Sequence, residues 1–368
     1  MSTFPGMFPS YKSMNLLSRI LLKPQGTDEL SLRRLEELRA DVACITSNEF
    51  AGLLELANLN HVAIRGMNQV LELAPEAPCA GWAREAIAEE TTRIDTAMAY
   101  LSNICQAFAD AGLEVSVIKS LDHWPDLGSD LDLFTSAQPD QVIELMRKRF
   151  NAETEARSWG DRLACKWNFK MPGLPESVEV HVGRLGQTGE QVAIAASLLK
   201  RTRTITVDGR NFRVTSKSDR LLISTLQRMY RHFYFRLCDV VDSSLLMEAD
   251  GVDFADLRGA ARAAEIWEGT ATYLAIVSDY VESYRGRRVE LPQFVREAAR
   301  FGGDAVYYAR GFIRVPIMPQ SAKLYGSQWM GVMKRGELHN GARLSLLPWL
   351  ATAAVVGMKI TGSDKGIW

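Results

Sequence analysis

The chain has few cysteines for its length, and they follow no metal-binding or disulfide pattern. Five are dispersed over 368 residues without any Cys-x-x-Cys spacing: Cys44, Cys79, Cys105, Cys165 and Cys238. An odd and scattered set indicates neither a disulfide framework nor a zinc site. The first 13 residues also lack a basic segment followed by an apolar core, so no secretory signal is predicted. We therefore expect a cytoplasmic protein.

An excess of charge of either sign is missing as well. The chain has 43 Lys and Arg residues against 44 Asp and Glu residues, which gives a formal net charge of −1. This balance provides no overall electrostatic attraction for nucleic acid or for an anionic membrane. A nucleic-acid partner is therefore disfavoured, and with it a function in modifying RNA 3′ ends.

Long apolar runs are also absent. The segment that most invites a membrane interpretation, residues 344–360, is shorter than the roughly 20 apolar residues that span a bilayer. Pro348 interrupts it, and Lys359 lies near its end. No transmembrane segment is predicted, and a buried or surface-docked helix is favoured over membrane-surface contact through these residues.

What the chain does have is enough apolar content, 47%, to bury a sizeable core in two or three domains. The spacing of apolar residues predicts an α+β fold in three regions: helical over residues 1–112, a mixed α and β core over 113–215, and helical again over 216–368. Helices are predicted over 29–40, 47–58, 62–73, 81–111, 139–150 and 190–200. Strands are predicted over 115–119, 130–135, 153–158, 165–171 and 178–184, with a hairpin formed by 202–207 and 211–214 around Asp208-Gly209-Arg210.

Two of these predicted strands carry acidic residues at alternate positions. Asp130 and Asp132 lie one residue apart, so their side chains project from one face while Leu131 and its neighbours enter the core. Glu179 and His181 share a face in the same way on a later strand. Hard oxygen ligands of this kind suit Mg²⁺, which prefers one or two carboxylates together with substrate phosphates. A solvated strand end is the alternative interpretation of the aspartate pair.

The order of these elements resembles the nucleotidyltransferase superfamily, in particular its group of uncharacterised bacterial nucleotidyltransferases. That pattern has an apolar residue, a Gly and a Gly or Ser, followed after a short connection by Asp-apolar-Asp/Glu-apolar. Here Ile118-Lys119-Ser120 precedes Asp130-Leu131-Asp132-Leu133 at a matching spacing. The usual Lys-Gly of the group corresponds to Lys119-Ser120, and its acidic-x-His strand to Glu179-Val180-His181. The resemblance covers residues 30–280.

The resemblance implies a mixed β-sheet core between helical regions and a metal-dependent transfer reaction. Mg²⁺ is the expected cofactor, with Mn²⁺ as a substitute. The expected partners are a nucleoside triphosphate, ATP in the first place, and a small molecule or a protein with an acceptor hydroxyl. The metal-binding and catalytic candidates are Asp130, Asp132 and Glu179. The nucleotide-binding candidates are Lys119, Ser120, Gly128, Ser129 and His181.

Several of these residues have a second interpretation. Glu179 could complete the metal site or deprotonate the acceptor, and His181 could be a structural histidine near the site. The glycine of the family pattern is replaced at Lys119-Ser120, which restricts the close approach of backbone to a triphosphate. A nucleotidyltransferase-like protein with impaired catalysis and a binding or regulatory role is therefore the alternative function.

A basic and aromatic stretch follows the predicted core. Arg228, Arg231 and His232 would share one face of a helix, with Arg236 further along and Asp239 within reach of an intrahelical pair. A salt-bridged helix that packs its aromatic residues on the core is favoured, and contact with a phosphate or base is the alternative.

Overall fold

The computed structural model describes residues 11–248, 251–350 and 352–353 and confirms the α+β class, with a mixed β-sheet between helical regions. The seven strands lie in the order β3-β4-β5-β2-β1-β7-β6. The β2–β5 and β1–β7 pairs are parallel, and the other pairs are antiparallel. The strands are β1 Val115–Val117, β2 Asp130–Thr135, β3 Glu153–Thr154, β4 Lys166–Lys170, β5 Ser177–Val182, β6 Thr202–Val207 and β7 Arg210–Thr215.

The register between β2 and β5 is what positions the acidic residues. Asp132 is the partner of Glu179 in this parallel pair, and Asp130 is the partner of Ser177. Leu131 and Val178 point to the opposite face, where both are fully buried in an apolar cluster. Because side chains alternate along a strand, burial of one face forces the carboxylates onto the other.

Helices surround the sheet at both ends of the chain. The helices before β1 are α1 Tyr11–Leu21, α2 Glu29–Ala43, α3 Ser47–Leu59, α4 Ala63–Leu73 and α5 Pro78–Asp110. Those within the sheet region are α6 Pro139–Phe150, α7 Trp159–Leu163 and α8 Val192–Leu198. Those after it are α9 Lys217–Gln227, α10 Leu237–Glu248, α11 Phe254–Ala263, α12 Trp267–Arg285, α13 Gln293–Ala298, α14 Ala322–Lys334 and α15 Leu338–Ser345.

The two helical regions pack on one another. Leu17 of α1, Leu53 of α3 and Tyr273 of α12 belong to a single buried apolar cluster. The end of α5 joins a second cluster beneath the sheet, where Phe108 is fully buried with Leu131. Long-range packing therefore brings residues from both ends of the chain toward the same face of the sheet.

Several features of the structure differ from the sequence predictions. Helix α1 was not predicted, and the strand expected over residues 153–158 is limited to β3. The region after residue 215 is not wholly helical, because a small sheet with the order β8-β10-β9 lies within it. Its strands are β8 Tyr234–Phe235, β9 Tyr307–Ala309 and β10 Phe312–Arg314. Strands of two or three residues leave almost no periodic pattern and depend on partners distant in sequence.

The C-terminal apolar segment is only partly described. Residue 351 and residues 354–360 lie outside the described part of the chain. In the described part, α15 ends at Ser345. Leu344 is buried and Trp349 is exposed. Among the helices that the structure describes, none combines the length and the apolar character needed to cross a bilayer.

Candidate active site

A cavity of about 400 Å³ lies over the sheet face that carries the acidic residues. Strands β2, β4 and β5 form one wall, and the segment between α9 and α10 forms another. The acidic wall contributes Asp130, Asp132 and Glu179, and the other wall contributes Arg228, Arg231 and Arg236. Carboxylates and guanidinium groups therefore face a common space.

Asp132, Glu179 and His181 form a compact group of ligand atoms. One such atom from each residue lies within 4.8 Å of the others, which would allow them to hold a metal ion. His181 Nε2 is 2.8 Å from Glu179 Oε1 and 3.9 Å from Asp132 Oδ1. Asp132 and His181 are buried and Glu179 is half-buried, so these donors are shielded from bulk water.

Asp130 lines the same cavity without belonging to that 4.8 Å group. Its Oδ2 accepts a hydrogen bond of 3.1 Å from the Ser129 hydroxyl. Burial, reinforced by the charges of Asp132 and Glu179, raises the pKa of the Asp130 carboxyl to about 6. Of the three predicted metal ligands, the structure thus brings Asp132 and Glu179 together with His181 and leaves Asp130 at the margin.

Two lysines neutralise the carboxylates. Lys119 forms an ion pair with Asp132, and its Nζ is 3.6 Å from Glu179 Oε1. Lys166 Nζ lies 2.9 Å from Glu179 Oε2 and 2.8 Å from Asp161 Oδ1. Burial alone would raise the pKa of Glu179, but Lys119, His181 and Lys166 outweigh it and hold that pKa well below its ordinary value. A metal ion at this site would compete with Lys119 for the same oxygens.

We expect Lys119→Met to lower the stability of the metal-free protein by about 1–3 kcal/mol, because Asp132 loses its cationic partner in a buried position. Mg²⁺ should raise the melting temperature of this variant more than that of the wild type, since no ammonium competes with the ion. Thermal unfolding with Mg²⁺ and with chelator measures both effects. Lys148→Met is the control, because Lys148 pairs on an exposed helix face. An equal response of variant and wild type to Mg²⁺ would contradict the competition.

The predicted nucleotide-binding loop is held tightly against β2. Ser120 Oγ donates to the Asp130 carbonyl at 3.2 Å and accepts from the Asp132 N–H at 2.7 Å. The Ser120 side chain therefore supports the strand that carries the carboxylates. Gly128 lines the cavity, and a Cβ at this position would lie 3.2 Å from the His61 ring.

The basic stretch is not the continuous helix that its sequence predicts. Helix α9 ends at Gln227, a π-helical turn covers Arg228–His232, and Phe233 adopts a left-handed conformation with φ of 54° before β8. Arg228 Nε is 2.7 Å from Asp239 Oδ2. This ion pair connects residues on either side of the break and is not the intrahelical pair that the sequence predicts. A left-handed residue cannot continue a right-handed helix, and the chain turns into the cavity wall.

Two arginines of this wall have unused hydrogen-bonding capacity. Among the described residues, Arg231 forms no ion pair, and the buried Nε of Arg236 has no hydrogen-bond partner. Despite burial, Asp132 and Glu179 raise the pKa of Lys119 above its ordinary value, and the nearby charge of Arg231 works against them. Guanidinium groups in this condition provide donors for an anion, and their planar fork suits phosphate oxygens.

Sequence reasoning missed several residues that line the cavity, among them His61, Asp122, His123, Asp161, Lys166 and Asn168. Lys166 and Asn168 could have been found from the alternation of side chains along a strand, because they share a face of β4. Asn168 is the register partner of Glu179. His61 and His123 come from connections between elements, and no local pattern marks them.

No protein-family model matches the chain, and no curated protein matches it. Among solved structures, the chain is similar to an antigenic nucleotidyltransferase-like protein from Paracoccidioides brasiliensis. The identity is 15%, the match covers 42% of this chain and 76% of that chain, and the TM-score is 0.30. Similarity at this level does not establish membership of a family.

Proposed function

We propose that the chain is a Mg²⁺-dependent nucleotidyltransferase. It would transfer a nucleoside monophosphate from a nucleoside triphosphate to a hydroxyl of a small molecule or a protein and release pyrophosphate. ATP is the expected triphosphate. The observation that carries this proposal is one cavity with two chemically different walls. Clustered carboxylates lie on one wall, and arginines with unused donors lie on the other.

The donor set fits the expected ion. Asp132 and Glu179 offer hard oxygen ligands, which Mg²⁺ and Mn²⁺ prefer, and the imidazole of His181 extends the range toward Mn²⁺. Asp132, Glu179 and His181 would therefore hold the metal, with Asp130 beside it. When bound, the ion would neutralise charge that develops on the phosphoryl oxygens.

The remaining side chains supply positioning and charge. Arg231 and Arg236 would bind the phosphate tail and orient the α-phosphorus toward the carboxylate wall. Lys166 keeps Glu179 ionised and in place through its 2.9 Å contact. Lys119, displaced from Asp132, would be free to contact a phosphate oxygen as a point charge.

The alternative function, a nucleotidyltransferase-like binding or regulatory protein with impaired catalysis, is favoured by two observations. Lys119 already pairs with Asp132 and lies near Glu179, and Ser120 occupies the position of the glycine in the family pattern. Both features weaken the drive to bind a metal–triphosphate complex. Binding and transfer therefore have to be measured separately.

We expect Mg²⁺ and ATP to strengthen each other's binding by at least tenfold, because the ion would bridge carboxylate and phosphate oxygens. Calorimetric titration of ATP with Mg²⁺ and with chelator measures this coupling.

Arg231→Gln and Arg236→Gln should each weaken ATP binding roughly 10- to 100-fold, which is the equivalent of losing a charged hydrogen bond.

Arg33→Gln is the matched control, because Arg33 is 77% exposed on α2 and far in sequence from the cavity. ATP binding with the same affinity in Mg²⁺ and in chelator would contradict the proposed function. Coupled binding without release of pyrophosphate, tested with all four triphosphates and a panel of hydroxyl acceptors, would favour the binding or regulatory alternative.

A further inference from the structure

A second group of metal-ligating side chains lies at the edge of the same cavity. His61, His123 and Cys238 each offer a ligand atom within 4.8 Å of the other two. His123 Nε2 lies 3.9 Å from Cys238 Sγ, and the two imidazole rings are 5.6 Å apart between centroids. Tetrahedral zinc with ordinary Zn–N and Zn–S bonds separates a nitrogen and a sulfur ligand by about 3.6 Å. The observed spacing is therefore close to that of a bound ion.

The surrounding structure orients these ligands. Asp242 Oδ2 lies 2.5 Å from His123 Nδ1, which leaves Nε2 directed toward Cys238. A carboxylate behind a ligating imidazole is the arrangement that sets its tautomer and raises its basicity in metal sites. Asp242 is held in turn by Arg65, whose guanidinium is 2.5 Å from Oδ1.

His61 is available as a ligand. Its Nδ1 is buried and has no hydrogen-bond partner. Its backbone has φ of 54°, a left-handed conformation that costs a residue with a side chain some energy and is common at functional sites.

A buried asparagine joins the two segments that carry these ligands. Asn60 Oδ1 accepts from the Leu237 N–H at 3.0 Å, and the Asn60 carbonyl accepts from the Cys238 N–H at 3.3 Å. His61 and Cys238 are thereby held side by side, although they are far apart in sequence.

We propose that Cys238 Sγ, His123 Nε2 and a ring nitrogen of His61 bind one zinc-class divalent cation at the edge of the cavity. This ion is separate from the one proposed for the carboxylates, because thiolate and imidazole ligands select zinc or cobalt, whereas the carboxylates suit Mg²⁺. Binding would release the proton of the Cys238 thiol. His61 and His123 line the cavity, so the fourth coordination position would face it.

The same residues do not form a thiol catalyst. Cys238, His123 and Asp242 follow one another as a nucleophile, a base and an orienting carboxylate would. A nucleophile must reach a substrate, however, and Cys238 is 0% exposed and packs in the apolar cluster of the helical regions.

Cobalt titration of the full-length protein tests the site without any measurement of activity. We expect one Co²⁺ per chain to give a thiolate-to-cobalt charge-transfer absorption, and we expect zinc to abolish this band by displacement. Cys238→Ser should lose the band, and His61→Gln should weaken Co²⁺ binding by at least tenfold. Cys79→Ser is the matched control, because Cys79 is equally buried on α5 and should leave the spectrum unchanged.

Asp132→Asn distinguishes this site from the proposed magnesium site, since it should retain the cobalt band. The proposal is overturned if the wild type shows no thiolate–cobalt band, if the band survives Cys238→Ser, or if Cys79→Ser removes it as well. If Cys238→Ser does not fold, the affinity of His61→Gln decides, because wild-type affinity in that variant also overturns the proposal. None of these outcomes depends on nucleotide transfer.

Discussion

Asp132→Asn should reduce nucleotide transfer by about 10²- to 10³-fold while the fold survives. The substitution keeps nearly the same shape and removes one negative charge from the group formed with Glu179 and His181. In the proposed metal-assisted transfer that charge would be a principal electrostatic contribution, and losing such a contribution has effects of this size. Lys119 remains within 3.6 Å of Glu179, so the variant does not bury an unpaired ammonium.

Release of pyrophosphate under saturating Mg²⁺ and ATP measures the effect, with circular dichroism to verify the fold. Asp130→Asn should also impair transfer, and comparison of the two variants would show how far the marginal position of Asp130 matters. Asp140→Asn is the matched control, because Asp140 is exposed at the start of α6 and outside the cavity. Wild-type transfer by both Asp130→Asn and Asp132→Asn would refute the assignment of the catalytic carboxylates.

Arg65→Met should destabilise the protein by about 3–5 kcal/mol, the effect of breaking a buried ion pair by removing one partner. Arg65 Nε donates to Asp126 Oδ2 at 2.7 Å, and a second nitrogen lies 2.5 Å from Asp242 Oδ1. The Asp126 side chain is 2% exposed. Methionine fills much of the same space but leaves Asp126 without its cation and leaves Asp242 with His123 as its remaining partner, so the loss arises from charge more than from packing.

Denaturant unfolding measures this loss, and Arg33→Met is the control on an exposed surface. The stability of Arg65→Lys should fall between those of the wild type and Arg65→Met, since one ammonium cannot bridge two carboxylates as a guanidinium does. A loss below about 1 kcal/mol in Arg65→Met would mean that the network is solvated, as exposed pairs are.

The loss in Arg65→Met should depend on pH. Burial already raises the pKa of Asp126 above its ordinary value, and Arg65 is the main group that opposes this rise. Without Arg65 the folded-state pKa rises further, and a raised carboxyl pKa destabilises the fold as pH increases above the unfolded value of 3.8. The destabilisation should therefore be smaller near pH 4 than at pH 7.

The sequence alone determined the parts of this protein that follow from local periodicity. Alternation over residues 130–135 predicted β2 with its true bounds, and the apolar spacing over 139–150 predicted α6 equally well. The shared faces of Asp130 with Asp132 and of Glu179 with His181 followed from the same period. These features are set by side chains within a few residues of one another, which is the range that a sequence pattern records.

Only the tertiary structure decided what surrounds the carboxylates. The pairing of Lys119 with Asp132, the left-handed break at Phe233 and the meeting of His61 with Cys238 join segments whose contacts no periodic pattern specifies. His61 meets Cys238 because the helical regions from both ends of the chain bury one apolar cluster, whereas Lys119 reaches Asp132 through the antiparallel pairing of β1 with β2. A sequence shows which residues need burial or a partner, but the choice of partner is made by the packing of the whole chain.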